Sequence, residues 1–394
     1  MRKKIVIIGA GAAGINAAES IRKQNKDVEI EIIDVENATP YYRTVISDYL
    51  FKEMKEEKFY LRSLEWYEKE KINFHKGIGV KKIHLREKNV ELLDGKKLFY
   101  DKLILAMGAR CSNPKVEKNN LPGVFTLRSK SDAEIIKKYA LDGKKALIVG
   151  GGVLGLEAAC AMYELGLEVS IVEIMQRVLP RQLDEKGSQF LEERIASMGI
   201  KLYKNSIIQR YVGERKIERV QLDRDRIIET DLVIVSAGIT PNRELVENSG
   251  IFCNRGILVN ERMETSVEDV YACGDVAEYG GKIVGLWDTA VEQGKIAGTN
   301  AAGGEAVFQE KIQPLIFHGM NTKLLSIGNV HFEESGCDAL EDMDTCENSY
   351  KKFIFNSRKI VGGILLGDNS KGGELVKAVR GSMEKKELLK KIYG

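Results

Sequence analysis

The chain has 394 residues, 43% of them hydrophobic and 30% charged, which is typical of a globular protein with two or three domains. The formal net charge of +2 gives no strong overall field, so it favours neither nucleic acid nor an anionic membrane as a partner. Apolar residues nowhere continue for the roughly eighteen positions of a membrane-spanning helix, and the opening Met-Arg-Lys-Lys is interpreted as leading into a strand rather than a signal peptide. We therefore expect a cytoplasmic protein.

The first predicted elements are a strand, a glycine turn and a helix. The apolar run Ile5-Val6-Ile7-Ile8 leads into Gly9-Ala10-Gly11-Ala12-Ala13-Gly14 and then into an Ala-rich stretch with helical spacing. In such a G-x-G-x-x-G turn the first glycine permits the tight turn, the second lets the backbone approach a pyrophosphate, and the third lets the helix pack on the strand. The next strand ends in Asp34, at the spacing of an acid that holds a ribose hydroxyl.

The same pattern occurs a second time. Ala146-Leu147-Ile148-Val149 leads into Gly150-Gly151-Gly152-Val153-Leu154-Gly155, and the following strand ends in Glu173. Two complete units of this kind predict two bound dinucleotides. The carboxylate of Glu173 would accept a ribose 2′-hydroxyl and repel a 2′-phosphate, which favours NADH over NADPH, although Arg177 lies close enough in sequence to weaken that preference.

The order of elements predicts an α/β fold with two Rossmann-like dinucleotide-binding domains and a smaller C-terminal α+β domain. A turn-rich segment from Pro114 to Pro122 is a predicted hinge, and a helix is expected over Asp288 to Ala302. Short strands at Lys352–Asn356 and Ile360–Leu366 and a Lys-rich helix follow. The predicted boundaries are 1–111 with 239–306, then 112–238, then 307–394.

Cysteine and histidine spacing gives no support for a metal site. The chain contains six cysteines and four histidines, with no C-x-x-C pair: Cys111, Cys160, Cys253, Cys273, Cys337, Cys346, His75, His84, His318 and His331. Iron–sulfur and structural zinc sites require clustered ligands, so the cysteines are interpreted mainly as reduced, small apolar residues.

Taken in order, these motifs resemble the pyridine nucleotide-disulfide oxidoreductase superfamily along nearly the whole chain. The segments that carry the resemblance are Gly9–Gly14, Gly150–Gly155, Ala106-Met107-Gly108, Ala237-Gly238-Ile239-Thr240-Pro241-Asn242 and Cys273-Gly274-Asp275. Within it, four further segments are similar to NADH:rubredoxin reductases and to the flavin module of NADH-dependent nitrite reductases: Gly150–Ala159, Arg177–Asp184, Pro40–Arg43 and Gly285–Trp287.

The resemblance implies that FAD binds along the first fingerprint and NADH along the second, with the nicotinamide stacked on the flavin. The FAD residues that it implies are Gly9, Gly11, Ala13, Gly14, Asp34, Arg43, Ala106, Gly108 and Asp275, and the NAD residues are Gly150, Gly152, Gly155, Glu173 and Gly238. Asp275 would contact the ribityl or pyrophosphate part, or else cap a helix. Glu157 matches a position near the nicotinamide, or else is an ordinary glutamate that complements the helix dipole.

The sequence also departs from the superfamily. The C-x-x-x-x-C redox pair after Asp34 is absent, no cysteine precedes Cys111, and Asp48 follows Ser47 where related ferredoxin reductases commonly have lysine. Electrons are therefore expected to pass from the flavin directly to a small carrier of the rubredoxin or ferredoxin type. Tyr41, Tyr42 and Arg43 would border the flavin edge or pack under it, and Lys144-Lys145 and Lys385-Lys386 would dock an acidic protein or simply face solvent.

Two alternatives stay open at this point. One is an NADH oxidase that reduces oxygen or peroxide, and the other is a dinucleotide-binding sensor or subunit with no turnover of its own. The sequence does not choose between a monomer and a homodimer.

Overall fold

The structure is a computed structural model that describes residues 2–112, 114, 116–117, 120–331, 337–344 and 348–393. Part of the predicted hinge (residues 115, 118 and 119) and Cys346 lie outside the described residues. The strands are β1 (Lys4–Ile8), β2 (Glu29–Asp34), β3 (Ile72–Lys76), β4 (Val80–His84), β5 (Asn89–Leu92), β6 (Lys97–Phe99), β7 (Lys102–Leu105), β8 (Ala109–Cys111), β9 (Val124–Thr126), β10 (Lys145–Val149), β11 (Glu168–Val172), β12 (Lys201–Tyr203), β13 (Ile208–Val212), β14 (Arg219–Leu222), β15 (Ile227–Glu229), β16 (Leu232–Val235), β17 (Ile239–Pro241), β18 (Ile257–Val259), β19 (Val270–Ala272), β20 (Ala277–Tyr279), β21 (Leu315–Gly319), β22 (Thr322–Gly328), β23 (Cys337–Asp344), β24 (Ser349–Asn356) and β25 (Lys359–Leu366). The helices are α1 (Ala12–Gln24), α2 (Ile46–Tyr49), α3 (Glu56–Phe59), α4 (Leu64–Lys69), α5 (Lys130–Asp142), α6 (Val153–Glu164), α7 (Glu185–Ser197), α8 (Trp287–Ala301), α9 (Gly372–Arg380) and α10 (Lys385–Tyr393).

The chain divides into two compact units. Unit 1 comprises Met1–Ile46, Glu53–Ser112 and Gly238–Gln309, and unit 2 comprises Ser47–Lys52, Asn113–Ala237 and Glu310–Gly394. The division separates the two glycine motifs and places the C-terminal segment in unit 2. The narrower three-domain boundaries given above stay a prediction.

Each unit is built on a five-stranded parallel sheet with the same arrangement. The strand order is β19-β7-β1-β2-β3 in unit 1 and β9-β16-β10-β11-β12 in unit 2. In unit 1, β1 lies between β2, which ends in Asp34, and β7, which precedes Ala106. In unit 2, β10 lies between β11, which precedes Glu173, and β16, which precedes the segment that contains Gly238. This confirms the predicted α/β class with Rossmann-like sheets, and it brings the motifs of each unit to the carboxyl edge of its sheet, where such folds bind ligands.

Antiparallel sheets complete both units. In unit 1 the β4-β5-β6 meander packs apolar residues on the parallel sheet, and in unit 2 the β13-β14-β15 sheet does the same through Tyr211, Val220 and Ile228. The C-terminal segment forms the antiparallel sheet β21-β22-β25-β24-β23 with α9 and α10 packed against it around Phe353 and Phe355. The predicted C-terminal α+β fold is therefore present.

Helices α1 and α8 of unit 1 pack with their backbones nearly in contact. A Cβ atom added at Gly294 would overlap the carbonyl oxygen of Ala13, and one at Gly298 would overlap that of Ala17. Only small residues on both helices permit this close approach. The same contact recurs four residues further along one face of each helix. The packing sets the position of the N-terminus of α8 relative to the glycine turn that precedes α1.

We predict that Gly294→Ala lowers the free energy of unfolding by about 1–3 kcal/mol, because backbone atoms on α1 have no rotamer with which to move away. Urea or thermal unfolding measures the change. Gly373→Ala in α9 is the matched control: nothing lies within 4 Å of its added Cβ, so stability should stay the same or rise by up to about 1 kcal/mol. Equal destabilisation by both variants would contradict the proposed role of the α1–α8 contact.

Candidate functional site

The first glycine turn forms a tight link between β1 and α1. Gly9 has a φ of +103°, and a Cβ atom there would overlap the carbonyl oxygen of Ala106 at the end of β7. A Cβ atom at Gly14 would overlap the carbonyl oxygen of Gly9. The first and third glycines are therefore required by the protein's own backbone, as the spacing predicts.

Gly11, the second glycine, differs from the other two. Nothing lies within 4 Å of a Cβ atom added there, its φ of −71° suits any residue, and it is the N-cap of α1 without a side-chain capping bond. The first turn of α1 also contains no acidic residue. The protein therefore leaves open space beside the electropositive end of a 13-residue helix, and a pyrophosphate fits that cradle.

The second turn in unit 2 repeats this geometry. Gly150 has a φ of +110° and its Cβ would overlap the carbonyl oxygen of Ser236, while a Cβ at Gly155 would overlap that of Gly150. Gly152, the N-cap of α6, again has open space and no side-chain capping bond. By contrast, α5 carries a capping box from Ser129, and Asp184 caps α7. The two helices behind the fingerprints thus have no side-chain cap, as expected if a ligand satisfies their N–H groups.

The two predicted ribose acids have matching hydrogen bonds. Asp34 accepts the backbone N–H of Ala10 at 2.6 Å, and Glu173 accepts that of Gly151 at 2.5 Å. Burial raises the pKa of Asp34, and the backbone donors Glu36 and Ala10 oppose that rise. The sequence predicts only a ribose-binding role for these acids and not this second role, in which each carboxylate holds the adjacent glycine turn by a hydrogen bond. Carboxylate oxygens carry further lone pairs, so a ribose hydroxyl can still bind.

Arg43 lies in a cluster beside Asp34. Its guanidinium pairs with Glu36, whose own N–H donates to Asp34 at 2.8 Å, and Tyr41 donates its hydroxyl to Glu36 at 2.7 Å. Tyr41 is 5% exposed and its ring stacks on Phe59 with centroids 5.1 Å apart. Tyr41 therefore packs on another aromatic ring of unit 1, and the two alternatives for this segment, bordering the flavin edge or packing under the flavin, stay predictions.

The strand-end motifs converge on the same edge of unit 1. Asn242 donates through its side chain to the carbonyl oxygen of Met107 at 3.0 Å and through its backbone to that of Gly108, also at 3.0 Å. Gly108 and Gly238 have φ values of +64° and +93°, in the left-handed region that favours glycine. These bonds hold β17 beside β8, the two-stranded link that follows Ala106.

Asp275 lies half-buried in a 3₁₀ turn at Gly274–Val276, directly after β19. The preceding glycine donates its N–H to Gln293 of α8 at 2.9 Å, and a Cβ atom at Gly274 would approach Ala13 to 2.9 Å. Ala13 therefore faces α8 and this turn. Gln293 is a buried polar side chain that sequence reasoning missed, although its place on the small-residue face of α8 signals it.

Glu157 lies in the second turn of α6 and accepts the hydroxyl of Ser47 at 3.1 Å. Burial raises the pKa of Glu157 to about 7, and the nearby negative charge of Asp48 adds to the rise against the opposing hydrogen bond from Ser47. The carboxyl is therefore half protonated near neutral pH. A helix-dipole effect alone would lower its pKa instead.

We predict that this carboxyl weakens the fold as it ionises. The pKa of Glu157 lies above the ordinary value of 4.5. The stability that the protonated carboxyl contributes to the fold is therefore fully present below about pH 4.5 and is lost as pH rises through about 7. Glu157→Gln should remove that part of the pH dependence of Tm, and carboxyl NMR of the wild type should show one glutamate that titrates near 7. Glu164→Gln, at an exposed position of the same helix, should leave both observations unchanged.

Three of the described cysteines, Cys160, Cys253 and Cys273, are free thiols. Cys273, beside the turn that contains Asp275, is completely buried, and burial raises its pKa to about 12. It is therefore a thiol and not a reactive thiolate at neutral pH. Across the described ranges, no group of three or more His, Cys, Asp or Glu side chains could hold a metal ion.

In the part of the chain that the structure describes, no helix combines the length and apolar character needed to span a bilayer.

Two uncapped glycine cradles, each with its acid and each in its own unit, define a protein that binds two dinucleotides on one chain. Residues 3–294 match the pyridine nucleotide-disulphide oxidoreductase family, and residues 315–383 match the rubredoxin NAD+ reductase C-terminal domain. The chain belongs to the pyridine nucleotide-disulphide oxidoreductase family. The predicted family is thus confirmed, and the protein is an oxidoreductase that uses FAD and NADH.

Three relatives illustrate the similarity. NADH-rubredoxin oxidoreductase of Clostridium acetobutylicum is 35% identical over 96% of this chain and 95% of its own length. The crystal structure of NADH:rubredoxin oxidoreductase from the same organism superposes with a TM-score of 0.80 at 33% identity, covering 98% of this chain and 96% of that one. A NADH oxidase of Methanocaldococcus jannaschii is 33% identical over 85% of this chain and 76% of its own.

Proposed function

We propose that this protein passes electrons from NADH through FAD to a small electron-carrier protein of the rubredoxin type. The observation that carries the proposal is the similarity to a NADH-rubredoxin oxidoreductase over 96% of the chain, including a C-terminal region that matches the rubredoxin reductase C-terminal domain. The family match alone would support many acceptors, so the C-terminal match is what favours this one.

In this proposal the cradle of unit 1 holds FAD and that of unit 2 holds NADH. The FAD residues are Gly9, Gly11, Ala13, Gly14, Asp34, Arg43, Ala106, Gly108 and Asp275, and the NADH residues are Gly150, Gly152, Gly155, Glu173 and Gly238. The helix N-termini at Gly11 and Gly152 would bind the pyrophosphates, and the two acids would bind the adenosine riboses. Ala13 would act indirectly, through its packing on α8 and Gly274.

FAD, when bound, supplies a ring that accepts two electrons from NADH and releases them one at a time. The chain itself supplies orientation and electrostatics. The N-terminus of α8 carries no side-chain capping bond at Leu286, and its dipole would stabilise negative charge nearby. Glu157, half protonated near pH 7 and bonded to Ser47, would present a group that can hold or release a proton at the NADH unit.

Direct electron transfer to the carrier is supported by the state of the thiols. The free cysteine in unit 1 that is nearest to the FAD motifs in sequence, Cys273, is buried and protonated, which makes it a poor relay. A thiol-based step would require a reactive thiolate.

The predicted docking lysines are partly engaged already. Lys145 pairs with Glu229 at 2.7 Å, and Lys385 pairs with Asp338 and lies 4.9 Å from the centre of the Phe355 ring. These contacts support the alternative in which such lysines belong to a solvated surface. If electrostatic docking nevertheless operates, turnover with an acidic carrier should fall as salt rises.

Anaerobic stopped-flow measurements test the function. The yellow, FAD-containing protein should lose its colour when mixed with NADH, and the reduced protein should then regain it fastest when mixed with oxidised rubredoxin. Ferredoxin and oxygenated buffer, mixed in separate runs, are the comparison acceptors. Pre-reduced rubredoxin is the control, because it contributes the same surface but accepts no electrons.

The outcomes separate the competing functions. Faster reoxidation by oxygen than by either carrier would favour the NADH oxidase function, which the relative from Methanocaldococcus jannaschii keeps relevant. A coloured protein that NADH does not bleach would favour a sensor or subunit. A rate with ferredoxin above that with rubredoxin would change the class of carrier. A cytoplasmic location stays a prediction, and monomer and homodimer both stay open.

A further inference from the structure

A short segment of unit 2 follows the predicted NADH cradle along the chain and contacts the C-terminal sheet. This cradle segment, residues 174–184, begins directly after Glu173 and ends at the N-cap of α7. Its backbone contacts the glycine turn, because Leu179 donates its N–H to the carbonyl oxygen of Gly151 at 3.1 Å. Val178 is fully buried beside the same glycine, 3.1 Å from where a Cβ atom would stand. The cradle segment thus packs directly against Gly151, so its position affects the position of the glycine turn.

The end of the cradle segment is fixed by two side chains of β24. Asp184 accepts the hydroxyl of Tyr350 and the ammonium of Lys352, each at 2.7 Å, and it also caps α7 through the N–H of Gly187 at 3.0 Å. The side chains of Asp184 and Lys352 are only 13% and 14% exposed, and Tyr350 is fully buried. This is a built contact and not a chance pairing of surface charges.

Two further bonds join the same parts of unit 2. Ser326 of β22 donates its hydroxyl to the carbonyl oxygen of Gln182 at 2.6 Å. Lys352 also pairs with Glu341 at 3.1 Å, and Glu341 pairs with Lys186 in the first turn of α7. The C-terminal sheet therefore holds the cradle segment by its backbone and by a connected set of charges.

The charges of the contact are mutually stabilised. Burial by itself would raise the pKa of Asp184, but the hydrogen bonds from Lys352 and Tyr350 hold it below its ordinary value. Burial would lower the pKa of Lys352, and the bond to Asp184 raises it instead. Removing one partner leaves the other charge buried and unpaired, which is costly, so the cradle segment should shift when either residue is replaced.

We propose that Asp184, Tyr350 and Lys352 are positioning residues for the NADH site, through which the C-terminal sheet holds the cradle segment against Gly151. The inference rests on the proposed function, since it takes the second cradle as the NADH site. The C-terminal domain would then have a second role besides binding a carrier protein, because it would also influence the affinity of unit 2 for NADH.

Equilibrium binding of NAD⁺ to the FAD-loaded protein tests the proposal, with nucleotide affinity followed by calorimetry. Lys352→Met and Tyr350→Phe should each raise the Kd for NAD⁺ about five- to twentyfold. Steady-state kinetics with NADH should show a matching rise in KM with kcat within about twofold of wild type. Lys352→Arg restores the charge and should restore the affinity, which a purely structural role for side-chain packing would not predict.

Lys385→Met is the matched control, since it removes another lysine–aspartate pair of the C-terminal fold, the one between Lys385 of α10 and Asp338 of β23, neither of which belongs to the cradle segment. It should leave the Kd for NAD⁺ within about twofold of wild type. Thermal unfolding and FAD content identify a variant that misfolds, and Tyr350→Phe keeps the buried ring if Lys352→Met is unstable. Wild-type affinity in both folded variants would overturn this inference, whereas failure of the wild type to bind NAD⁺ or NADH would overturn the proposed function itself.

Discussion

Gly14→Ala should yield a protein that is purified without FAD. The added Cβ would overlap the carbonyl oxygen of Gly9, which is a backbone atom of the turn that links β1 to α1. No side-chain rotamer relieves this overlap, so α1 has to move away from the sheet and the cradle opens. We expect at least a tenfold fall in flavin absorbance per protein, with loss of all NADH-dependent electron transfer.

Gly11→Ala is the informative partner of that variant. Nothing of the protein lies within 4 Å of its Cβ, and a φ of −71° suits alanine, so the fold and the Tm of the FAD-free protein should be unchanged. The methyl group would nevertheless occupy the space assigned to the pyrophosphate, and the Kd for FAD should rise about tenfold or more, which is about 1.4 kcal/mol or more. Gly152→Ala should do the same to NADH and leave FAD bound.

The comparison of Gly14 and Gly11 separates two reasons for a glycine. If Gly11→Ala binds FAD as tightly as wild type, the open space at the N-terminus of α1 is not the pyrophosphate site. If Gly14→Ala retains FAD and its Tm, the contact between α1 and β1 is more adaptable than the backbone geometry indicates. Absorbance spectra and calorimetric titration of the apoprotein give both results.

The sequence predicts those parts of the molecule that local backbone geometry controls. The spacing of glycines after an apolar strand specifies a turn with a positive φ and a close helix, and both copies fold that way around Gly9 and Gly150. The predicted helix over Asp288 to Ala302 differs from α8 by one residue at each end. Such features depend on contacts within a few residues and so can be inferred from pattern alone.

Contacts between distant segments could not be predicted in the same way. Asp184 and Lys352 are 168 residues apart in the chain, and neither lies in a motif that specifies the other. The second task of Asp34 and Glu173, fixing the turn through Ala10 and Gly151, depends on side-chain direction at a strand end, which hydropathy does not encode. The raised pKa of Glu157 likewise requires the fold that brings Ser47 and Asp48 to α6.

Wild-type protein should prefer NADH over NADPH by at least tenfold in kcat/KM, about 1.4 kcal/mol of transition-state stabilisation. The reason is the charge and placement of Glu173, which is 6% exposed at the end of the second fingerprint. Its two oxygens accept N–H groups of Gly151 and Met175 at 2.5 and 2.7 Å, so the carboxylate cannot swing aside to admit a 2′-phosphate. A negative group brought to it would meet an immobile charge with little water to screen it.

Glu173→Gln should narrow this preference to within about threefold while lowering kcat/KM for NADH. The amide removes the repelling charge, but its NH₂ group faces a backbone N–H where the carboxylate accepted one, so the turn loses a bond. Arg177 would then be the cation nearest in sequence that could bind a 2′-phosphate. Its Nε atom is buried without a hydrogen-bond partner. Specificity and turn geometry are thus coupled in one side chain.

Glu168→Gln supplies the comparison, because Glu168 is an exposed residue at the start of the same strand, β11. It changes the net charge by the same amount and should leave the preference for NADH unaltered, which excludes a general effect of charge on nucleotide binding. Equal kcat/KM values for the two nucleotides in the wild type would show that Arg177 or another cation offsets the carboxylate. A preference that survives Glu173→Gln in full would instead assign the discrimination to the shape of the turn, since charge would then have no measurable part in it.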